Sequence, residues 1–255
     1  MIDPDSASHP GTTTTSPRLW VARALTEPAE RFPDLDPPQL DPDGMTPADA
    51  ALALAIYRTT IQRWLTLEHL LDRFLTQKIR KMEPAMQAVL LSSAAQLIFL
   101  DRLPDYAVVD QAVGIAKKHV RPGAAGMANA VVRKVARLVE GHDPHTPWSP
   151  ARNALPLAGG GTLALKQNAL PDPSDFVGHL SAATSTPRPL IKHWLERLDE
   201  EQVTRLCLHA IENPPTVVVV EESFDFDAAN ADWSRHDHAG FVVWRGKREA
   251  LADFL

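Results

Sequence analysis

Apolar residues recur at helical spacing along the middle of the chain, and this pattern limits the possible folds more than any other feature. Between residues 67 and 75 they stand at i, i+3, i+4, i+7 and i+8, as Leu67, Leu70, Leu71, Phe74 and Leu75. A second stripe runs from Pro84 to Leu100, and both are typical of amphipathic helices. Such helices joined by short connections predict a helical bundle.

Capping residues and prolines set the expected helix boundaries. Thr46-Pro47-Ala48-Asp49 predicts a helix start, with a threonine N-cap, proline in the first turn and a carboxylate near the positive end of the helix dipole. Pro104 and Pro122-Gly123 mark breaks between later helices. We expect helices over 18–25, 46–64, 67–75, 84–100, 108–119 and 124–138.

The amino-acid composition changes after Gly141. Proline, aspartate and serine become frequent, and the helical spacing of apolar residues ends. Gly159-Gly160-Gly161 lies between two short apolar runs, 154–157 and 162–165. The glycines lack the spacing of a phosphate-binding loop, so we interpret them as a hairpin turn between strands. The expected fold is mainly α, with a disordered leader over 1–17, a helical domain over 18–141 and a linker with a short hairpin over 142–175.

Residues 176–255 are expected to form a small α+β connector region. Two helices lie between Pro187 and Glu212, split near Asp199. The apolar run at 216–220 predicts a buried strand, and 240–244 a second strand. A terminal helix is expected over 247–254.

Charge is concentrated in one segment. The whole chain has a formal net charge of -6, but Leu54 to Val139 holds 13 basic and 6 acidic residues. An excess of this kind is typical of a nucleic-acid-binding surface, the alternative being a solvated helical face. The candidate nucleic-acid-binding residues are Lys78, Arg80, Lys81, Arg102, Lys117, Lys118, Arg121, Arg133, Lys134 and Arg137. Lys117 and Arg121 are four apart, as are Arg133 and Arg137, so each pair is expected to share a helix face.

No catalytic or metal-ligating motif is evident. Cys207 is the single cysteine and stands two residues from His209, which on a helix puts the two on different faces, so we expect a buried structural thiol. The His142/His145 and His236/His238 pairs lack the three or four converging ligands of a zinc site. The chain shows neither a signal peptide nor a membrane span, and a cytoplasmic location without membrane contact is expected.

Two segments resemble a known family. Residues 100–113 and 126–135 are similar to the helical domain shared by the NusB antitermination factor and bacterial 16S rRNA cytosine-C5 methyltransferases of the Sun/RsmB type. The matching residues are Pro104, Ala107, Val109, Asp110, Gln111, Ala112 and Val113 in the first segment and Gly126, Asn129, Ala130, Val131 and Arg133 in the second. Further on, Ser185 to Trp194 and Asn213-Pro214-Pro215 resemble connector elements of the methyltransferases.

The resemblance implies the RNA-binding and positioning portion of an S-adenosylmethionine-dependent methyltransferase acting on small-subunit ribosomal RNA. The two catalytic cysteines and the glycine-rich cofactor loop of that family are not in this sequence, so no cofactor is expected in this chain. A catalytic methyltransferase domain or a ribosomal protein is a further possible partner. The alternatives are a non-enzymatic NusB-like factor in transcription antitermination or rRNA maturation, and a helical interaction module without RNA.

The motif residues are expected to be structural. Pro104 should end one helix and start the next, and Gly126 should permit close helix packing. Asn129 is a polar residue in an apolar run, so it is expected to be buried and hydrogen-bonded to backbone, because an unsatisfied amide would cost about 1 to 3 kcal/mol.

The isolated chain is predicted to bind no S-adenosylmethionine and to transfer no methyl group, because the family's thiolate nucleophile and cofactor loop are not among its residues. Isothermal titration calorimetry with S-adenosylmethionine should show no binding heat. Binding in the micromolar range would contradict this prediction.

Overall fold

The computed structural model describes residues 16–34, 42, 44–220 and 232–244. The chain divides into two compact units, one ending at Ile211 and one beginning at Glu212. The terminal helix expected over 247–254 lies outside the described residues, and so does the leader apart from Ser16 and Pro17.

The first unit is mainly helical, as the apolar periodicity predicts. Its helices are α1 (Pro17–Ala24), α2 (Thr26–Arg31), α3 (Pro47–Gln62), α4 (Trp64–Leu71), α5 (Pro84–Phe99), α6 (Asp105–Ile115), α7 (Ala124–Ala136), α8 (Phe176–Thr184), α9 (Arg188–Leu195) and α10 (Glu200–His209). A 3-10 turn at Ile79–Lys81 precedes α5, and a π-helical turn at Ala116–Val120 follows α6.

Local capping explains where several helices begin. The Thr46 hydroxyl accepts a hydrogen bond from the Asp49 amide at 3.2 Å, with Pro47 as the first residue of α3, as expected. Asp199 and Gln202 form a capping box at the start of α10, which confirms the division of the two connector helices. Pro104 directly precedes α6, so the helix starts at Asp105 rather than at Val108.

Helix α5 is the centre of the bundle. Every residue from Met86 to Ile98 is buried, and α1, α2, α3, α4, α6 and α7 all pack against this helix. Its polar side chains are satisfied locally: the Ser92 and Ser93 hydroxyls donate to carbonyls of the preceding turn at 2.7 Å, and Gln96 Nε2 donates to Ser92 O at 2.9 Å. An all-round buried helix can therefore carry polar residues without unpaired groups.

A small antiparallel sheet completes the same core. Its strands are β1 (Val139–Asp143), β2 (Ala154–Pro156) and β3 (Thr162–Leu165), in the order β1-β3-β2. The glycine turn between β2 and β3 is confirmed, with Gly159 and Gly160 at φ 88° and 89°, a backbone region that favours glycine.

Residues 142–175 were expected to form a linker with a short hairpin, but apolar side chains of this segment pack against the helices. Leu155, Leu163 and Leu165 are fully buried in the core that the helices share. Arg63 is also buried and its Nη2 donates to Pro156 O at 3.1 Å, which ties the α3–α4 junction to the sheet. The break in packing comes after Ile211 instead of after Gly141.

The connector holds more regular structure than expected. Helix α8 was not expected; Asp175 caps it by accepting from the Gly178 amide at 3.0 Å. Ser185 follows it at φ 63°, and its hydroxyl accepts from the Leu65 amide of α4 at 2.9 Å. Helix α4 ends at Leu71, one turn before the end of its apolar stripe.

The second unit contains a three-stranded antiparallel sheet in its described part. The strands are β4 (Thr216–Val219), β5 (Trp233–Arg235) and β6 (Phe241–Trp244), in the order β4-β6-β5. The expectation that 216–220 is a buried strand was wrong, because β4 is an edge strand and its Val219 is 73% exposed. One face of the sheet packs Trp233 against Trp244 at a ring distance of 4.6 Å.

Within the described ranges, no helix has the length and apolar character needed to cross a membrane.

Replacing Leu90 with alanine is predicted to destabilise the first unit by about 2–5 kcal/mol, because the side chain is fully buried on the central helix and its removal leaves a cavity. Leu206→Ala on α10 is the matched control, since Leu206 is 38% exposed. Urea unfolding followed by circular dichroism measures both variants. Equal destabilisation of the two would mean that α5 is not the centre of the core.

Candidate nucleic-acid interface

The ten candidate cations are all exposed, but they lie on different elements. Lys78, Arg80 and Lys81 belong to the 3-10 turn and its cap, and Arg102 lies in the turn between α5 and α6. The remaining six lie on the π-helical turn, on α7 or directly after one of them: Lys117, Lys118, Arg121, Arg133, Lys134 and Arg137. Exposure alone does not separate the cations available to a phosphate from those already paired.

Three of the ten are held by carboxylates. Lys78 pairs with Asp72 at 3.1 Å, and Arg121 pairs with Glu83 at 2.5 Å. Arg80 makes a bidentate contact with Glu68, with Nη2 to Oε2 at 2.7 Å, and its guanidinium lies 4.3 Å from the centre of the Phe32 ring. Because Glu68 is buried, Arg80 is the most strongly engaged of the three.

Six other cations form no ion pair with any carboxylate of the described residues. They are Lys81, Arg102, Lys117, Lys118, Lys134 and Arg137. Arg133 also lacks an ion pair there, and its Nε donates to Asn129 Oδ1 at 2.7 Å. These side chains are exposed and can meet the phosphates of a nucleic acid without first breaking an ion pair.

The sequence predicted two basic helix faces, and the structure contains one of them. Lys117 lies on the π-helical turn and Arg121 follows it in an extended conformation, φ -163° and ψ 159°, directed to Glu83. They do not share an α-helical face, because the α-helix with its 3.6 residues per turn ends before Lys117. Arg133 and Arg137 do point to a common groove, as their spacing predicts.

That groove lies between α6 and α7 and has a volume of about 530 Å³. We call it the α6–α7 groove. It is lined from α6 by Asp105, Tyr106, Val109, Asp110 and Val113, and from the other side by Asn129, Arg133, Ala136, Arg137 and Lys166. The backbone amide of Lys166 donates to Leu138 O at 2.9 Å, which fixes this residue beside the end of α7.

An exposed aromatic side chain stands at the edge of the groove. Tyr106, in the first turn of α6, is 78% exposed. An aromatic ring in water next to several cations is typical of proteins that stack unpaired bases. Tyr106 and Lys166 were not among the candidates from the sequence, because Tyr106 is not basic and Lys166 lies outside the segment Leu54 to Val139 that holds the excess of basic residues.

The expectations for Gly126 and Asn129 were wrong. Gly126 is exposed with open space around its Cα, and Asn129 is half-buried and bonded to Arg133 instead of backbone. The reason is the orientation of α7, whose buried residues are Ala124, Ala128, Val131, Val132 and Val135. The positions of Gly126, Asn129 and Arg133 lie outside this buried stripe.

Two further pockets lie beside α4, and both are lined by Leu65, Arg80 and Arg188. The carboxylates Glu68 and Asp72 line the first. The second is lined by the stacked pair Phe32 and Trp64, whose ring centres are 5.4 Å apart. Arg80, one of their two cations, is already held by Glu68. The α6–α7 groove has three cations without an ion pair in the described ranges, and it is therefore better suited to a polyanion.

The histidine and cysteine candidates have local partners. The His142 ring lies 2.8 Å from Ile98 O, and His236 Nδ1 accepts from the His238 amide at 3.0 Å. In the part of the chain that the structure describes, no group of three or more possible ligands could hold a metal ion. Cys207 is fully buried, as expected, and burial raises the pKa of its thiol.

Comparison with known proteins gives one family and two named relatives. The sequence model of the NusB family matches residues 23–137. The probable ribosomal RNA small subunit methyltransferase B of Bacillus subtilis (strain 168) is 28% identical over 167 residues, which is 65% of this chain and 31% of the relative. The ribosomal RNA small subunit methyltransferase B of Pseudomonas putida (strain KT2440) is 32% identical over 125 residues, 48% of this chain and 28% of the relative. The aligned part spans less than a third of either relative.

One solved structure resembles the chain over most of its length. The crystal structure of PH0851 superposes with a TM-score of 0.53 at 9% identity, covering 93% of this chain and 50% of that chain. At this identity the likeness concerns the fold alone.

Replacing Arg80 with methionine is predicted to lower the free energy of unfolding by about 1–3 kcal/mol, because Glu68 is left buried without its partner. Lys134→Gln, which removes a cation without an ion pair, should change stability by less than about 0.5 kcal/mol. Urea unfolding measures the free energy of unfolding of both variants. The double variant Arg80→Met/Glu68→Gln should regain part of the stability, and a double variant no better than Arg80→Met would argue against the pair.

Proposed function

We propose, from the match of residues 23–137 to the NusB family, that the chain is the RNA-binding and positioning portion of an S-adenosylmethionine-dependent methyltransferase that acts on cytosine C5 of small-subunit ribosomal RNA. The observation that carries the proposal is the extent of the similarity. The alignment with the Bacillus subtilis relative runs over 167 residues, longer than the NusB match. If the chain were a stand-alone NusB-like factor, we would expect its similarity to a methyltransferase to end with the helical domain.

The packing supports a positioning role. Residues beyond the NusB match contribute β2, β3 and α8 to the first unit, and Leu155 and Ala183 are fully buried in the core of the bundle. The bond from the Leu65 amide to the Ser185 hydroxyl joins α4 to the connector. An RNA held by the bundle would thus have a fixed geometry relative to the part of the connector that belongs to the first unit, residues 176–211, and rigid supports of this kind set the placement of a reacting group.

The charges support RNA as the ligand. The cations without an ion pair in the described ranges extend from the 3-10 turn to the end of α7, with Lys81, Lys117, Lys118 and Lys134 among them. Exposed lysines contribute little to folding stability. They contribute to nucleic-acid affinity by displacing the counterions of phosphates. In this proposal the described cations hold the backbone of the RNA.

Methyl transfer and the S-adenosylmethionine site belong, in this proposal, to a catalytic domain like that of the full-length relatives, and this chain contributes no catalytic residue. The partners are small-subunit ribosomal RNA and that domain, and a cytoplasmic location follows from the substrate. The second candidate function, a NusB-like factor in antitermination or rRNA maturation, is favoured by the family match itself.

The first test removes four lysines without ion pairs. The variant Lys81→Gln/Lys117→Gln/Lys118→Gln/Lys134→Gln is predicted to bind fluorescein-labelled small-subunit rRNA fragments more weakly than the unmodified chain. The slope of log affinity against log salt should fall by about 0.7 for each phosphate of single-stranded RNA that the variant no longer neutralises. Fluorescence anisotropy over a series of salt concentrations measures both quantities.

A matched control removes the same amount of charge elsewhere. Arg23, Arg58, Lys192 and Arg197 are exposed, form no ion pair in the described ranges and lie on or near α1, α3 and α9, and their replacement by glutamine should leave affinity and salt slope nearly unchanged. Equal weakening in the two variants would mean that net charge, not this surface, drives binding. Equal affinity for unrelated RNA of the same length would favour a general RNA-binding role over the methyltransferase proposal.

A further inference from the structure

We propose that the α6–α7 groove binds one unpaired nucleotide of the RNA, with its base stacked on Tyr106 and the adjoining phosphates on Arg133, Arg137 and Lys166. The inference rests on the proposed function and deepens it, because it names where and in which form the RNA is recognised. The groove's volume of about 530 Å³ falls within the range of about 300–1,000 Å³ of small-molecule sites.

The stacking platform is the first step of the argument. Tyr106 is 78% exposed, more than any other large hydrophobic side chain of the described residues. Val109 and Val113, each on the same side of α6, continue the surface into the groove with apolar contacts. A flat aromatic ring beside an apolar floor suits the face of a base.

The second step is the presence of three cations around the groove. Arg133 is oriented by the hydrogen bond from its Nε to Asn129, 2.7 Å long, which leaves the rest of the guanidinium for a ligand. Lys166 is anchored through its amide to Leu138 O. None of the groove's three cations forms an ion pair with a carboxylate in the described ranges. The three positively charged side chains around the groove can form charge-assisted hydrogen bonds with two successive phosphates of an RNA strand.

The third step concerns the two carboxylates. Asp105 and Asp110 line the same groove, where they repel a phosphate but accept hydrogen bonds from the amino group of a base. Adenine, cytosine and guanine carry such a group. Uracil has only its N3–H as a donor, and this group lies between two carbonyl oxygens that repel a carboxylate. In a duplex these edges are paired and the base faces are stacked, so the groove requires an unpaired nucleotide.

The groove also accounts for residues with no role in the core. Asp110, Asn129 and Arg133 come from two separate sequence motifs, and the structure brings all three to this opening. Asn129 lies outside the buried stripe of α7, and its Oδ1 accepts a hydrogen bond from Arg133. A nucleotide-binding site would give each of these three side chains a function.

The test uses fluorescein-labelled 12-nucleotide oligo(A), oligo(C) and oligo(U) and a 12-base-pair RNA duplex, with the full chain. The unmodified chain should bind oligo(A) and oligo(C) more tightly than oligo(U). Tyr106→Ala should weaken binding to oligo(A) by about 5-fold to 150-fold, the effect of removing one stacked base, whereas Tyr106→Trp should retain it. Duplex binding should be the same in all three proteins. Asp110→Asn should reduce the preference over oligo(U).

The control is Leu206→Ala, another exposed apolar side chain, which should bind like the unmodified chain. If Tyr106→Ala binds oligo(A) normally while the four-lysine variant does not, the groove proposal is overturned and the RNA-binding function stands. If the unmodified chain binds no RNA, the proposed function fails as well. Tyr106-dependent binding of an acidic peptide with no effect of Tyr106→Ala on RNA would assign the groove to a protein partner and overturn the proposal.

Discussion

The bundle depends on α5 being apolar around its whole circumference. Residues from Met86 to Ile98 are buried without interruption, so each surrounding helix can bury its single apolar stripe against this one. Ser92, Ser93 and Gln96 do not interrupt the packing because the two hydroxyls and the Gln96 amide nitrogen donate to carbonyls of the same helix, and Gln96 Oε1 accepts from Arg18 Nε of α1. The short sheet joins the same core, and this extends one packed body well beyond the helical domain.

The pattern of charge on this body depends on where its carboxylates lie. Glu68 is buried and holds Arg80 against Phe32, so this arginine contributes to the structure. Lys117 and Lys118 have no such partner in the described ranges and remain open to a polyanion. The same excess of basic residues thus divides into cations that stabilise the fold and cations that form the proposed RNA-binding surface.

The α6–α7 groove shows why residues of a sequence motif need not belong to the core. On α7 the buried stripe runs through Ala128, Val131 and Val135. Asn129 stands next to this stripe in sequence but outside it in space, where it bonds to Arg133. A polar residue in an apolar run therefore indicates either a satisfied core amide or the rim of a helix face, and the rotation of the helix decides between them.

The sequence by itself determined what depends on neighbouring residues: the apolar periods of the helices, the Thr46 and Asp199 caps, the glycine hairpin and the buried Cys207. These follow from hydrogen bonds and side-chain spacing within a few residues. Only the tertiary structure decided which cations are paired, which face of α7 is open and that the hairpin belongs to the core. Each of these rests on contacts between residues far apart in the chain, such as Arg121 with Glu83 and Arg63 with Pro156, and no local pattern records which distant partner a side chain will meet.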